Sequence, residues 1–159
     1  MEFFRSLQFF IFSLTLTILW SGQSYAFDFG LASDFHAVRT NDTALTAAQE
    51  FGHIMLQEYL IMESQGNSTT YALAANLKAT VSGGIRDGFH VGGGMGLRST
   101  SGRRSDTYFN GILGFHFEPA SRVSVHVDGG ISFANDNNNS SVQIGGDSAL
   151  WGVSLLYHL

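Results

Sequence analysis

The feature that most constrains the fold is a period-two alternation of apolar and polar residues that recurs along most of the chain. Successive side chains of an extended strand point to opposite faces, so this alternation predicts strands with one apolar and one polar face. The alternating segments are Phe27–Val38, Tyr71–Ser82, Phe89–Thr100, Phe109–Glu118, Val123–Phe133 and Trp151–Leu159. The first prediction is therefore an all-β fold.

The length and chemistry of these segments favour a membrane-spanning barrel over a soluble sandwich, whose strands also alternate. Most of the segments are 10 to 12 residues long. A tilted transmembrane strand needs about 9 to 11 residues, whereas strands of soluble sheets usually have about 5 or 6. The apolar faces carry aromatic residues near the strand ends, and the opposite faces are small and polar. We predict a small antiparallel up-and-down transmembrane β-barrel.

The number of strands depends on the least regular part of the chain, Arg39 to Glu63. Within it, Thr43 to Tyr59 is compatible with an amphipathic helix or with one or two strands around Gly52. Bacterial single-chain barrels have an even number of strands and both ends in the periplasm. The clear segments and one strand near Phe51–Met62 make seven, so an eighth strand is expected between Thr43 and Phe51, giving about eight.

The first 26 residues have the composition of a cleavable signal peptide. Arg5 precedes an uncharged apolar run from Leu7 to Trp20, and the small residues Ser24 and Ala26 flank Tyr25, so cleavage is expected after Ala26. The run has 14 residues, fewer than the roughly 20 that a membrane-spanning helix requires. We predict a signal peptide at 1–26, a barrel domain at 27–159, and export to the outer membrane.

Charge and cysteine content exclude other classes. Removing Glu2 and Arg5 with the signal peptide leaves seven basic and twelve acidic residues, still a net charge of −5. No basic cluster marks a nucleic-acid surface, so no nucleic-acid partner is expected. The chain has no cysteine, which excludes both a disulfide-bonded scaffold and a lipid-anchored lipoprotein.

Three short motifs carry a resemblance to known proteins. They are the mature start Phe27–Leu31, the glycine-rich strand Val91–Leu97, and the turn Pro119–Arg122 that leads into an alternating strand. Over about residues 27 to 134 the chain resembles the small outer-membrane barrels of Gram-negative bacteria and, more loosely, the YfaZ group. The resemblance implies a fold and a location, and it brings no established catalytic residues.

Five of the six histidines fall on the polar faces of their strands. His90, His116 and His126 are candidate metal ligands, because imidazole is a common ligand and neighbouring strands could bring three together. The alternative is a lumen filled with hydrogen-bonded polar groups, in which charge pairs involve residues such as Arg98 and Asp128. We favour the filled lumen and predict no cofactor.

Ser124, His126 and Asp128 share one face of a strand and are the residue types of a nucleophile, a base and an orienting group. Lipid A deacylases and palmitoyltransferases are small barrels that use serine and histidine, so this pattern is a candidate catalytic site. Neighbours on one face of a strand lie about 7 Å apart, however, and catalytic triads usually converge from separate elements. We therefore favour a non-enzymatic protein.

The predicted function is an outer-membrane barrel with a filled polar lumen and a structural or surface-interaction role. Arg98, Arg103 and Arg104 would contact lipopolysaccharide from an extracellular loop, and the barrel-assembly machinery would be a partner during biogenesis. Two alternatives stay open at this point. One is a lipid A-modifying enzyme that transfers or removes an acyl chain, and the other is a soluble periplasmic lipocalin-like carrier.

Overall fold

The computed structural model describes residues 27–33, 43–65, 68–84, 87–101, 106–136, 139–144 and 152–159. The predicted signal peptide lies outside the described residues, as do Arg103 and Arg104. Among the described residues, no helix has the length and apolar character needed to span a membrane.

The described chain forms nine β-strands in one sheet. They are β1 (Phe27–Ser33), β2 (Thr43–Phe51), β3 (Ile54–Gln65), β4 (Ser68–Gly83), β5 (Asp87–Thr100), β6 (Asp106–Ala120), β7 (Val123–Asp136), β8 (Asn139–Ile144) and β9 (Gly152–His158). Each of the first seven strands pairs antiparallel with its neighbour along the chain. This neighbour-to-neighbour order is that of an up-and-down sheet.

The sheet closes into a barrel with eight strand positions. The free edge of β7 pairs with β8 over Ile131–Asp136 and with β9 over Val123–Asp128, so β8 and β9 occupy one position. On its other side β9 pairs with β1, which completes the ring. The predicted eight-stranded antiparallel barrel is confirmed. The expected hidden strand is β2, and the helical alternative for Thr43–Tyr59 is wrong because a β-hairpin forms there around Gly52.

The two ends of the barrel differ. The short connections Gly52–His53 and Ser121–Arg122 lie at one end, together with the first and last described residues, Phe27 and Leu159. We call this the turn end and the opposite one the loop end. The turn between β6 and β7 is Ser121–Arg122, shorter than the turn Pro119–Arg122 expected from the sequence, because β6 continues through Pro119 to Ala120.

The alternation of side chains gives the barrel a largely apolar outer face and an interior rich in polar groups. Gln49 and Glu58 are polar exceptions in the outer register of β2 and β3. Large apolar residues are exposed on every strand position, among them Phe29, Leu45, Met62, Leu77, Phe89, Leu97, Phe109, Leu113, Phe133, Val153 and Leu155. The buried polar residues include Asp28, Thr46, Gln57, Asn76, Lys78, His90, Asn110, His116, Ser124, His126, Asp128 and Ser154. This distribution inverts that of a soluble protein, in which apolar side chains fill the core.

Candidate functional site

A group of ionisable side chains meets inside the barrel, and we call it the lumen cluster: Lys78, His90, His116, His126 and Asp128. These residues come from β4, β5, β6 and β7, and all five are buried. The strand register brings them together, since His116 lies opposite His126 across β6 and β7. Alternation sends each of them to the interior face, and register decides that they share one height.

The charge of Asp128 is matched within the cluster. Its Oδ2 forms an ion pair with Lys78 Nζ, and its Oδ1 accepts a hydrogen bond from His90 Nε2 at 2.5 Å. Lys78 Nζ also donates to Gln57 Oε1 at 2.7 Å. Breaking a buried ion pair by removing one partner typically costs about 3–5 kcal/mol, so these contacts hold four strands in register.

Gly114 makes room for the contact between His90 and Asp128. It lies opposite His90 on one side and opposite Asp128 on the other. A Cβ atom at this position would lie 2.6 Å from His90 Nε2 and would also collide with Asp128 Oδ1. Only a residue without a side chain lets the two groups meet at hydrogen-bond distance here.

The three histidines present one ring nitrogen each within 4.8 Å of those of the other two. His90 Nδ1 and His116 Nδ1 are 3.4 Å apart. The ring centroids are separated by 5.7 Å for His90 and His116, 6.0 Å for His90 and His126, and 5.2 Å for His116 and His126. The structure thus brings together the three candidate metal ligands that the sequence singles out.

The candidate catalytic residues are brought together only in part. Ser124 Oγ and His126 Nε2 are 3.1 Å apart, so the expected first contact of a triad exists. Asp128, however, binds Lys78 and His90, and His126 Nδ1 has no hydrogen-bond partner among the described residues. Ser124 is 3% exposed and His126 is fully buried. A buried serine of this kind offers no approach for a lipid acyl chain.

Further polar contacts fill the interior on either side of the lumen cluster. Toward the loop end, Asn110 Nδ2 donates to Asn76 Oδ1 at 3.1 Å, and beyond them lies an apolar cluster that includes Tyr59 and Ile61. At the turn end, His158 Nδ1 and Asp28 Oδ1 are 2.8 Å apart. The interior that the structure describes is thus built from paired polar groups and packed apolar ones.

Sequence reasoning missed Lys78 and Gln57 as members of this network. Lys78 is on the polar face of its predicted strand, and a lysine at mid-strand inside a barrel requires a partner of opposite charge. The need of Lys78 for a buried partner was therefore the one sequence feature that could have revealed the network. The partner could not be named, because Lys78 and Asp128 are 50 residues apart in the chain.

Arg98, one of the three arginines predicted to meet lipopolysaccharide, lies near the loop end of β5 opposite Asp106. It occupies the inward-facing register of that strand and is half-buried. Arg103 and Arg104 are outside the described residues. The lipopolysaccharide contact stays a prediction.

The fold and its interior define a small closed antiparallel β-barrel whose interior combines a polar network with smaller apolar clusters. Comparison with known proteins finds no matching family model, no similar curated protein and no similar solved structure.

Proposed function

We propose that the protein is an outer-membrane β-barrel with a filled polar lumen, which acts structurally or in surface interaction and carries no catalytic activity. The observation that supports it best is the apolar outer face. Side chains such as Leu77, Leu97 and Leu113 are more than half exposed and follow one another around the barrel. Soluble monomers rarely expose contiguous apolar patches larger than a few hundred Å², whereas a lipid bilayer solvates such a surface.

The two ends of the barrel agree with this proposal. The connections at the turn end have two or three residues, and the two termini of the described barrel lie there as well. The loop end combines two-residue connections, between β3 and β4 and between β7 and β8, with longer ones. Outer-membrane barrels have short periplasmic turns with both ends in the periplasm, so the position of the termini is the feature that supports this orientation. The loop end would then face outward, where lipopolysaccharide is the available partner. In that orientation the barrel-assembly machinery would act on the chain from the turn end.

The lipocalin-like alternative is poorly supported by the chemistry of the interior. A carrier of apolar ligands needs an apolar cavity and a polar outer surface. Here the buried residues include Lys78, Asp128 and three histidines, while phenylalanine and leucine side chains are exposed outside. The enzyme alternative is also poorly supported, since the contact between Ser124 and His126 is sealed within the barrel.

The proposal predicts that an arginine on the outer face has an effect that depends on its depth. Leu77 lies near the middle of β4 and Val81 near its turn end, on the same face, and they are 55% and 59% exposed. Arginine at the bilayer midplane costs about 2–4 kcal/mol, but only about 0–1 kcal/mol near the interface. Leu77→Arg should therefore be much more destabilising than Val81→Arg.

The measurement is the free energy of unfolding in urea after refolding into lipid vesicles, together with the amount of folded barrel in the membrane fraction. Leu77→Ala serves as the control for lost apolar contact at the same position. A soluble protein would tolerate both arginines equally and remain folded without lipid or detergent, and either result would refute membrane insertion.

A further inference from the structure

We propose that His90, His116 and His126 form a binding site, inside the barrel, for a transition-metal cation such as Zn²⁺. This departs from the expectation that the imidazoles serve only to fill the lumen. The site depends on the barrel fold and the lumen cluster. A test of metal binding is therefore independent of the cellular location of the barrel.

The spacing of the ring nitrogens supports the site. Zinc binds imidazole nitrogen at about 2.0–2.1 Å in a tetrahedral arrangement, which places two ligand nitrogens about 3.3 Å apart. His90 Nδ1 and His116 Nδ1 are 3.4 Å apart. One ring nitrogen from each of the three histidines lies within 4.8 Å of the other two, so a shared cation requires the third imidazole to move closer to this pair.

The contact with Asp128 makes Nδ1 the His90 nitrogen that could bind a metal, and a cation would replace the hydrogen bond between His90 Nδ1 and His116 Nδ1. A carboxylate can only accept, so the 2.5 Å contact between His90 Nε2 and Asp128 Oδ1 places the ring proton on Nε2. In the neutral imidazole, Nδ1 then carries a lone pair directed at His116. A metal-bound histidine usually donates its other N–H to a carboxylate, which fixes the ring and raises its basicity.

His126 gives an independent indication. Its Nε2 is 3.1 Å from Ser124 Oγ, and its Nδ1 is buried without a hydrogen-bond partner in the part of the chain that the structure describes. An unsatisfied buried polar atom typically costs about 1–3 kcal/mol. Asn76 Nδ2 and Ser132 Oγ are in the same situation among the described residues, and His126 Nδ1 differs from them in belonging to the group of three histidines. Coordination by Nδ1 would satisfy this atom, with Ser124 holding the ring from the opposite side.

The surroundings suit a soft divalent cation. A set of three imidazoles matches zinc, copper or nickel, whereas magnesium and calcium require oxygen ligands. The ammonium group of Lys78 is a nearby positive charge that would repel a cation. It is bound to Asp128 Oδ2 and Gln57 Oε1, and the carboxylate of Asp128 offsets its charge. A small recess at the turn end is lined by His116, Glu50 and His53.

The test is a titration of the metal-free protein, refolded in detergent without a histidine tag, with ZnCl₂ by calorimetry and with CoCl₂ by visible absorption. We expect one equivalent to bind, a tetrahedral Co²⁺ spectrum, and a higher unfolding temperature with Zn²⁺. His126→Asn should abolish saturable binding. Asp128→Asn should weaken it about 10–100-fold, as expected when a ligand loses its carboxylate partner.

The matched control is His158→Asn, which changes another interior histidine that pairs with Asp28 at the turn end. It should bind Zn²⁺ as the wild type does. Retained heat-modifiability on unboiled gels shows that each variant is folded, and His116→Gln replaces His126→Asn if the latter fails this check. A wild type that takes up no metal, or ligand variants that bind as tightly as His158→Asn, would overturn the proposal.

Discussion

At the residue scale, the lumen cluster depends on the absence of a side chain at Gly114 as much as on its charged side chains. Lys78 and His90 both contact Asp128, and this arrangement satisfies a carboxylate that is 2% exposed. The interior of the barrel is narrow, and the atoms of this contact occupy the space above Gly114. Charge pairing and close packing are therefore linked at one position of β6.

Gly114→Ala should lower the free energy of unfolding by about 1–3 kcal/mol, the usual cost of overpacking a well-filled interior. The added methyl would lie 2.6 Å from His90 Nε2, so either the histidine or the strand must move. Urea unfolding in lipid vesicles measures the effect.

Gly111→Ala is the matched control, because it lies on the same strand and a Cβ there meets none of the described atoms within 4 Å. It should be neutral. If Gly114→Ala is as harmless as Gly111→Ala, the close contact at His90 does not contribute to stability.

At the scale of elements, the hairpin of β2 and β3 depends on its two-residue connection. Phe51 pairs with Ile54, and Gly52 between them has a φ of 66°, in the left-handed region. Side chains other than glycine, asparagine and aspartate are strained there. A Cβ at Gly52 would meet no atom of the described residues within 4 Å, so only the backbone conformation demands glycine.

Gly52→Ala should therefore destabilise the barrel by about 1–2 kcal/mol, the cost of a left-handed conformation for an ordinary residue. Gly52→Asn should cost less, since asparagine tolerates this region. The free energies of unfolding of the two variants, compared with the wild type, give the answer. Equal losses for alanine and asparagine would indicate that the turn does not require a positive φ.

The sequence predicts most strands because their two faces differ strongly, and it fails where they do not. In β2, Ala47 and Ala48 are on opposite faces, as are Thr46 and Gln49, so alternation is weak although the strand is regular. Only the requirement for an even number of strands indicated it.

The candidate metal ligands were predictable as residues on a polar face, but their meeting was not. Ala120 pairs with Val123 beside the turn, and continuing that register would set His116 opposite Val127. A shift between Phe117 and Ala120 changes the register by one residue and sets His116 opposite His126. Such a bulge moves a side chain from one face to the other relative to its partners. Pro119, the only proline of the chain, lies within this shift, and proline inside a sheet is confined to edge strands, strand starts and bulges. It marks the position of the irregularity but does not determine which residues of β7 then lie opposite β6.

At the scale of the whole molecule, stability depends on the pairing of the first and last strands. β1 and β9 pair from Asp28 with His158 to Ser33 with Val153, and this seam closes the ring. Among the described residues β8 pairs with β7 alone, so closure depends on β9. Closed barrels have no edge from which unfolding or aggregation can begin. Gly30 lies in the middle of the seam, opposite Leu156, and a Cβ there would be 2.9 Å from Leu156 Cα and would collide with the carbonyl oxygen of Leu155.

Gly30→Val should therefore prevent closure, because a branched side chain cannot fit between β1 and the backbone of β9. A closed barrel resists SDS until it is boiled, so the wild type should migrate differently on a gel before and after boiling. The Gly30→Val variant should migrate as the unfolded chain even in unboiled samples. Leu31→Val is the control, since Leu31 is on the outer face of the same strand and is 52% exposed; it should keep the shift. The clash at Gly30 involves backbone atoms of β9, which cannot move away by a change of rotamer. A Gly30→Val protein that retains full heat-modifiability would therefore show that β1 and β9 do not pair in this register.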